Sequence, residues 1–263
     1  MDVILEYFTL WVTDLLINFS LYFILSGLAF YFIWKSYSVS LNRRRIQEKQ
    51  KASDEQIRKE IWRSVRTLII FASIDLSVFY LEKTGITQIY SDIDEFGLTY
   101  FFISIFLMLL IHDTYFYWTH RLMHHKLIFK HVHKVHHESI DTTPFTAFSF
   151  HTIEAIIEYG ISPLLIFLIP THFGSLILFQ FLMTAFNVIG HLGYELYPSN
   201  WYRISLLKYK TTSVHHNLHH SKFNGNYGLY FTWWDRMLRT EFTDTRVKFE
   251  ETTNRKLLTI SDL

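Results

Sequence analysis

Histidine is the residue type whose number and spacing in this chain call for chemistry. Fifteen occur among 263 residues, and eight of them form three short clusters. These are His120-Arg-Leu-Met-His124, His133-Lys-Val-His136-His137 and His216-Asn-Leu-His219-His220. Residues three or four apart on a helix share a face. His120 and His124 can therefore point into one site, as can His133 with either His136 or His137, and His216, His219 and His220 share a face. Neutral imidazole is the commonest metal ligand among side chains. It suits iron, zinc, copper and nickel, whereas magnesium and calcium prefer oxygen. There is no cysteine, so disulfides and thiolate metal sites are excluded and any metal is held by nitrogen or oxygen. Eight imidazoles exceed the roughly four to six ligands of a single ion. Two adjacent ions would use eight or nine, and His191 is a natural ninth. Asn187, one turn before it, can add an oxygen or hold a water.

The other histidines need less chemistry. His112, His131 and His172 read as structural or surface residues. His125 and His215 each adjoin an expected ligand and fit just outside it. His151 opens "HTIEAIIEY" and either lines the site or caps the following helix. Carboxylates commonly orient ligating histidines by accepting the second ring N–H. Asp113, Glu138, Glu154 and Asp235 are the candidates for that work, against the plainer reading of ordinary interfacial polarity.

The elements that must position these side chains look like membrane helices. Apolar residues make up 49% of the chain and aromatic ones 18%, with 25 phenylalanines. Charge is almost balanced, 25 Lys plus Arg against 24 Asp plus Glu, which argues against a nucleic-acid partner. The start has no basic n-region, and Asp2 and Glu6 come early, so its apolar run is expected to be retained rather than cleaved. Residues 15–34 carry no charge and match the ~20 needed to cross a bilayer. Residues 67–81 are apolar except for Asp75, and 98–111 form a third apolar run. Residues 155–190, broken by Pro163, Pro170 and Gly174, suggest a membrane hairpin turning at 170–174. Between the spans, residues 35–63 hold nine Lys or Arg and four acids, and read as a solvated charged loop. The 82–97 loop holds four acids and one Lys. The positive-inside rule puts 35–63 in the cytoplasm and 82–97 on the far side. Every histidine cluster then faces the cytoplasm. The expected fold is an all-α integral membrane bundle of three to four spanning segments with a cytoplasmic histidine-rich di-metal cap. Residues 1–110 would supply N-terminal spans, 111–240 the catalytic region, and 241–263 a polar surface tail.

Taken together, H-x-x-x-H, H-x-x-H-H and H-x-x-H-H resemble the fatty acid hydroxylase/sterol desaturase superfamily of membrane di-iron oxidoreductases. "HDTYFYWTHRLMHH" is similar to its first box, "HKVHHESIDTTPFTAFSFHTIEAI" to its second with a downstream His-x-x-Glu, and "HHNLHHSKFNGNYGLYFTWWDRMLRT" to its third. The resemblance covers residues 111–240, and the part after the second box looks most like C-5 sterol desaturases and their bacterial relatives. Two departures stand out. Arg239-Thr240 replaces the family's frequent Gly-Thr, and Asn187 stands where some members place a further histidine. The resemblance implies two iron ions, O2 as co-substrate, and hydroxylation or desaturation of a sterol or fatty acyl C–H bond. It also implies an external electron donor of cytochrome b5 or ferredoxin-reductase type, since no cytochrome b5 domain is evident. Zinc hydrolysis fits less well, because the H-E-x-x-H motif is absent: Asp141 stands at its fifth position. Tyr115–Trp118, Trp233 and Trp234 read as interfacial anchors or as the lining of a lipid slot. A histidine-rich metal transporter or haem electron carrier is the rival class. A transporter should place ligands along a path through its spans, whereas these histidines gather at one face.

Overall fold

The structure is a computed structural model describing residues 2–48 and 51–255. Ten α-helices account for most of it. They are α1 Asp2–Ala29, α2 Asp54–Lys83, α3 Gly97–Met123, α4 Phe129–Val132, α5 Thr152–Tyr159, α6 Ile161–Leu168, α7 Phe173–Gly190, α8 Ser213–Lys222, α9 Trp233–Met237 and α10 Thr245–Asn254. Helix α1 runs on through a π-helical stretch, Phe30–Ser36.

Four helices are long and apolar enough to cross a membrane: Asp2–Ser36, α2, α3 and α7. Large apolar side chains stand exposed around them, Ile4 at 78%, Leu16 at 59%, Phe102 at 57% and Ile177 at 56%. Lipid tolerates that surface, and a helix satisfies its own backbone there. The protein is an integral membrane helical bundle. Asp75, the acid interrupting the second apolar segment, is not loose in the membrane. It accepts hydrogen bonds from Tyr159 (2.6 Å) and Ser162 (3.0 Å), tying α2 to α5 and α6.

The hairpin differs from expectation in its first arm. Residues 152–168 form two eight-residue helices meeting at Gly160 rather than one span. A Cβ at Gly160 would meet the Tyr115 hydroxyl of α3 at 3.2 Å and the Ile156 carbonyl at 3.1 Å, so the break falls where α3 packs against the arm. The second arm is α7, and the turn between the arms forms a short parallel pair, β1 (Ile89–Tyr90) with β2 (Thr171–His172). That pairing sets the hairpin tip beside the acidic 82–97 loop, at the end opposite the histidines.

The basic stretch 35–63 is also more than a solvated loop. Its last ten residues are the start of α2, N-capped by Ser53, whose side chain accepts from Gln56 N–H. Glu60 is wholly buried and accepts from Ser139 (2.7 Å) and Thr146 (2.9 Å), with Thr143 alongside. Arg45 pairs with Asp141, both nearly inaccessible. A buried charge must be matched, so these contacts dock the basic stretch against residues 139–146. Part of the expected polar tail is likewise packed. Phe249 of α10 is fully buried against Val214, Leu218 and Tyr202, which holds α10 against α8. Residues 256–263 lie outside the described residues.

Candidate metal centre

The histidine-bearing ends of α3, α7 and α8 meet the 124–137 segment at one end of the bundle, and nine imidazoles converge there in two groups. His120, His124, His133, His137 and His219 form one; His136, His191, His216 and His220 form the other. All are buried except His124, which is half-buried. In the first group the Nε2 atoms of His120 and His133 are 3.0 Å apart, as are those of His133 and His137. His124, His137 and His219 are mutually 3.1 Å apart at Nε2. In the second, His216 and His191 are 2.8 Å apart, His216 and His220 3.2 Å, and His191 and His136 3.3 Å. The groups adjoin, with the His137 and His220 rings 4.6 Å apart.

The outer nitrogens explain this inward aim. His120 Nδ1–H donates to the Tyr227 carbonyl (2.9 Å), His219 to Gly225 (2.7 Å), His220 to Ser139 (3.0 Å) and His191 to Asn187 (2.8 Å). His133 donates to Glu154 Oε1 at 2.7 Å. The four carbonyls accept only, so on those rings the proton sits on Nδ1 and the Nε2 lone pair faces its group. Burial, reinforced by the neighbouring imidazoles, pushes His124, His133, His136, His137, His216, His219 and His220 far below the usual histidine range. Burial likewise lowers His191 to about 4. The rings are therefore neutral at physiological pH. Neutral lone pairs held face to face repel, and a cation between them removes the repulsion. Metal–nitrogen bonds of about 2.1 Å meeting at right angles put neighbouring donors about 3.0 Å apart, close to the spacing of the first group. The donor set fits a transition-metal ion in each group: all nitrogen, neutral and preoriented.

The fatty acid hydroxylase family profile matches residues 105–240. The chain is 32% identical to a Delta(7)-sterol 5(6)-desaturase of Gibberella zeae over 216 residues, 82% of this chain and 62% of that protein. It is 31% identical to lathosterol oxidase of Homo sapiens over 222 residues, 82% of this chain and 69% of that protein. This chain belongs to the fatty acid hydroxylase family. No solved structure matches it.

Within this family member, helical spacing accounts for only part of the grouping. His133 and His137 share a group while His136 turns into the other, because 133–137 is a turn and a short 3-10 segment rather than α-helix. On α8 the expected common face divides. His216 and His220, four apart, serve one group, and His219, rotated about 100° from His220, serves the other. The Asn187 amide is engaged elsewhere: Nδ2 donates to the Ala147 carbonyl (3.0 Å), while its backbone carbonyl holds His191. His151 resolves as a cap. Its ring accepts from Ile153 N–H, and Glu154 accepts from His151 N–H in return. His215 is buried but belongs to neither group, with Nε2 3.5 Å from Asp235.

Among the carboxylates, only Glu154 touches a grouped ring. Asp235 acts one step removed: it accepts from Tyr227 N–H (2.9 Å), and the Tyr227 carbonyl holds His120. Burial pushes the Asp235 carboxyl up, but His215, Thr240 and Gly228 N–H outweigh it and hold it at about 2. Asp113 caps Tyr230 N–H (2.7 Å) and Phe231 N–H (3.1 Å) instead of a ligand. Glu138 is half out in solvent and pairs with Arg63 at 2.6 Å, so it orients no ligand. Four backbone carbonyls, of Ser139, Asn187, Gly225 and Tyr227, carry positioning that no side-chain pattern could announce. Glu158 is an acid within the largely apolar first arm of the hairpin. It is buried, neither carboxyl oxygen has a hydrogen-bond partner among the described residues, and it lines a cavity of about 10 Å3 between the two groups.

Proposed function

We propose that this protein is an O2-dependent di-iron oxidoreductase that hydroxylates or desaturates a lipid C–H bond, with a sterol-like lipid as the best-supported substrate. The observation that carries the reading is the pair of adjoining imidazole groups, five and four, with inward Nε2 atoms. Its relatives' names, a sterol desaturase and a lathosterol oxidase, support the substrate class. His120, His124, His133, His137 and His219 would hold one ion, and His136, His191, His216 and His220 the other. A bound iron pair supplies O2 reduction and removal of hydrogen from an unactivated carbon.

The chain's own residues do the rest. Glu154 and the carbonyls of Tyr227, Gly225, Ser139 and Asn187 fix the rings, so the donors need little rearrangement when ions bind. The cavity between the groups is walled by Phe116 and Phe150 as well as Glu158 and Asn187. Its aromatic side keeps water scarce, and Glu158 offers a polar contact to whatever enters. Substrate would arrive laterally from the bilayer, which the exposed apolar flanks of the four long helices support. We further propose that residues 1–110 anchor the catalytic part, 111–240, and that the histidine end is cytoplasmic, beside the basic 35–63 stretch. Electrons would come from a separate redox protein of cytochrome b5 or ferredoxin type. Each group converges on a point instead of flanking a plane, which favours ions over haem.

Metal analysis and lipid mass spectrometry test the reading together. Purified protein should carry about two non-haem irons per chain and show no Soret band. Cells expressing it should accumulate a lipid that has gained one oxygen or lost two hydrogens, and His219→Ala should abolish the change. Zinc in place of iron, with no altered lipid, would sink the proposal.

A further inference from the structure

Four cations reach one cavity of about 410 Å3 on the flank of the histidine end: Lys208, Arg236, Arg239 and Arg246. They come from the turn Leu207–Tyr209, from α9 and the residues after it, and from the start of α10. Two acids line the same cavity without neutralising it. Asp235 accepts from Tyr227 N–H, Gly228 N–H and the Thr240 hydroxyl, and Glu241 pairs with Arg236 at 2.9 Å. Arg246 shares the exposed Glu250. Lys208 and Arg239 have no carboxylate partner among the described residues. Arg239 also sits at φ +56° just past α9, a left-handed position that glycine usually fills. Its side chain stands there without any hydrogen bond among the described residues to offset the strain.

The position of this cavity relative to the membrane narrows what it takes. The Trp234 indole donates to Thr114 (3.2 Å), and its ring packs on Trp118 at 5.6 Å. Helix α9 therefore lies against the last turns of α3, where that span ends. The same segments of chain carry exposed apolar side chains: Leu206 at 85%, Met237 at 64% and Leu238 at 37%. Guanidinium groups match phosphate oxygens. Exposed apolar residues on the same short elements as such a cluster suit a molecule that carries phosphate and acyl chain together.

We propose that this cavity binds a phosphate-bearing anion, and that the anion is the headgroup of an anionic phospholipid. None of the nine grouped histidines lines this cavity, and the lipid and phosphate arms of the test below do not depend on the functional reading above. The test uses the full chain in uncharged detergent, titrated in one arm with phosphatidylglycerol against phosphatidylcholine and in the other with inorganic phosphate. Thermal unfolding is the readout. The variant is Lys208→Gln with Arg239→Gly, whose glycine relieves the left-handed backbone, so its midpoint without added ligand should match or exceed the native one. Phosphatidylglycerol should raise the native midpoint, and the variant should need at least about tenfold more, as expected for lost charge-assisted hydrogen bonds. If inorganic phosphate alone reproduces the shift, a soluble phosphate compound replaces the lipid and the headgroup assignment falls. Equal responses of native and variant protein in both arms would overturn the site. So would a variant that binds lipid normally but loses only the turnover supported by an acidic electron-donor protein, because the cations would then serve that partner.

Discussion

At the scale of single residues, the centre is governed by which nitrogen of each imidazole carries the proton. Glu154 is the side chain that makes that choice for His133, and losing such a partner typically costs about 10–100-fold in metal affinity. Glu154→Ala should therefore lower metal affinity by that order, measured by chelator competition, with Glu154→Gln closer to native. An unchanged affinity would mean that His133 is held by packing alone. The pH response follows from the same rings. Their folded-state pKa values lie below the ordinary ~6.5 of the unfolded chain, so as pH falls through about 6.5 the unfolded state takes up protons first. Stability of the metal-free protein is then lost on acidification and is fully present above that range. Denaturant titrations from neutral pH downward should show it as a falling midpoint; a flat profile would contradict the buried, neutral state of the histidines.

At the scale of elements, the loop from 223 to 232 matters more than its length suggests. It returns the chain from α8 so that the Gly225 and Tyr227 carbonyls meet His219 and His120. Asn226 adopts φ +56°, and its side chain ties the loop to His215 and Thr245. A Cβ at Gly228 would come within 2.3 Å of the Phe231 carbonyl, a contact that backbone must move to avoid. Gly228→Ala should therefore displace the loop, destabilise the protein by roughly 1–3 kcal/mol, and lower metal content with it. Thermal unfolding and metal analysis of the same preparation check both. A variant that unfolds sooner yet keeps its metal content would show that the loop supports the fold but not the centre.

At the scale of the whole molecule, the bundle has two chemically distinct ends. One carries the histidines and the docked basic stretch, and the other the acidic loop with the β1–β2 pair. Because the chain has no cysteine, single thiols can report which end faces which compartment. Ser40→Cys should react with an impermeant maleimide only from the cytoplasmic side, and Thr84→Cys only from the other. Reversed labelling would invert the orientation proposed from charge.

The histidines, the absence of thiols and the apolar runs are local properties, so donor type, membrane setting and family were legible in the chain itself. So was the first box, since α3 is a regular helix from Gly97 to Met123 and carries His120 to its last turn. Partition of the nine rings was not. His136 and His137 are neighbours in sequence and diverge in space, because the turn around them is set by the elements it packs between. Nor were the backbone acceptors legible, or the burial of Glu60 and Arg45 in a stretch that reads as solvated: composition records a charge but not its partner. Residue identity settles what a side chain can donate or accept. Which two groups meet across a hundred positions of chain depends on helices packing as rigid bodies, and that is a property of the assembled bundle alone.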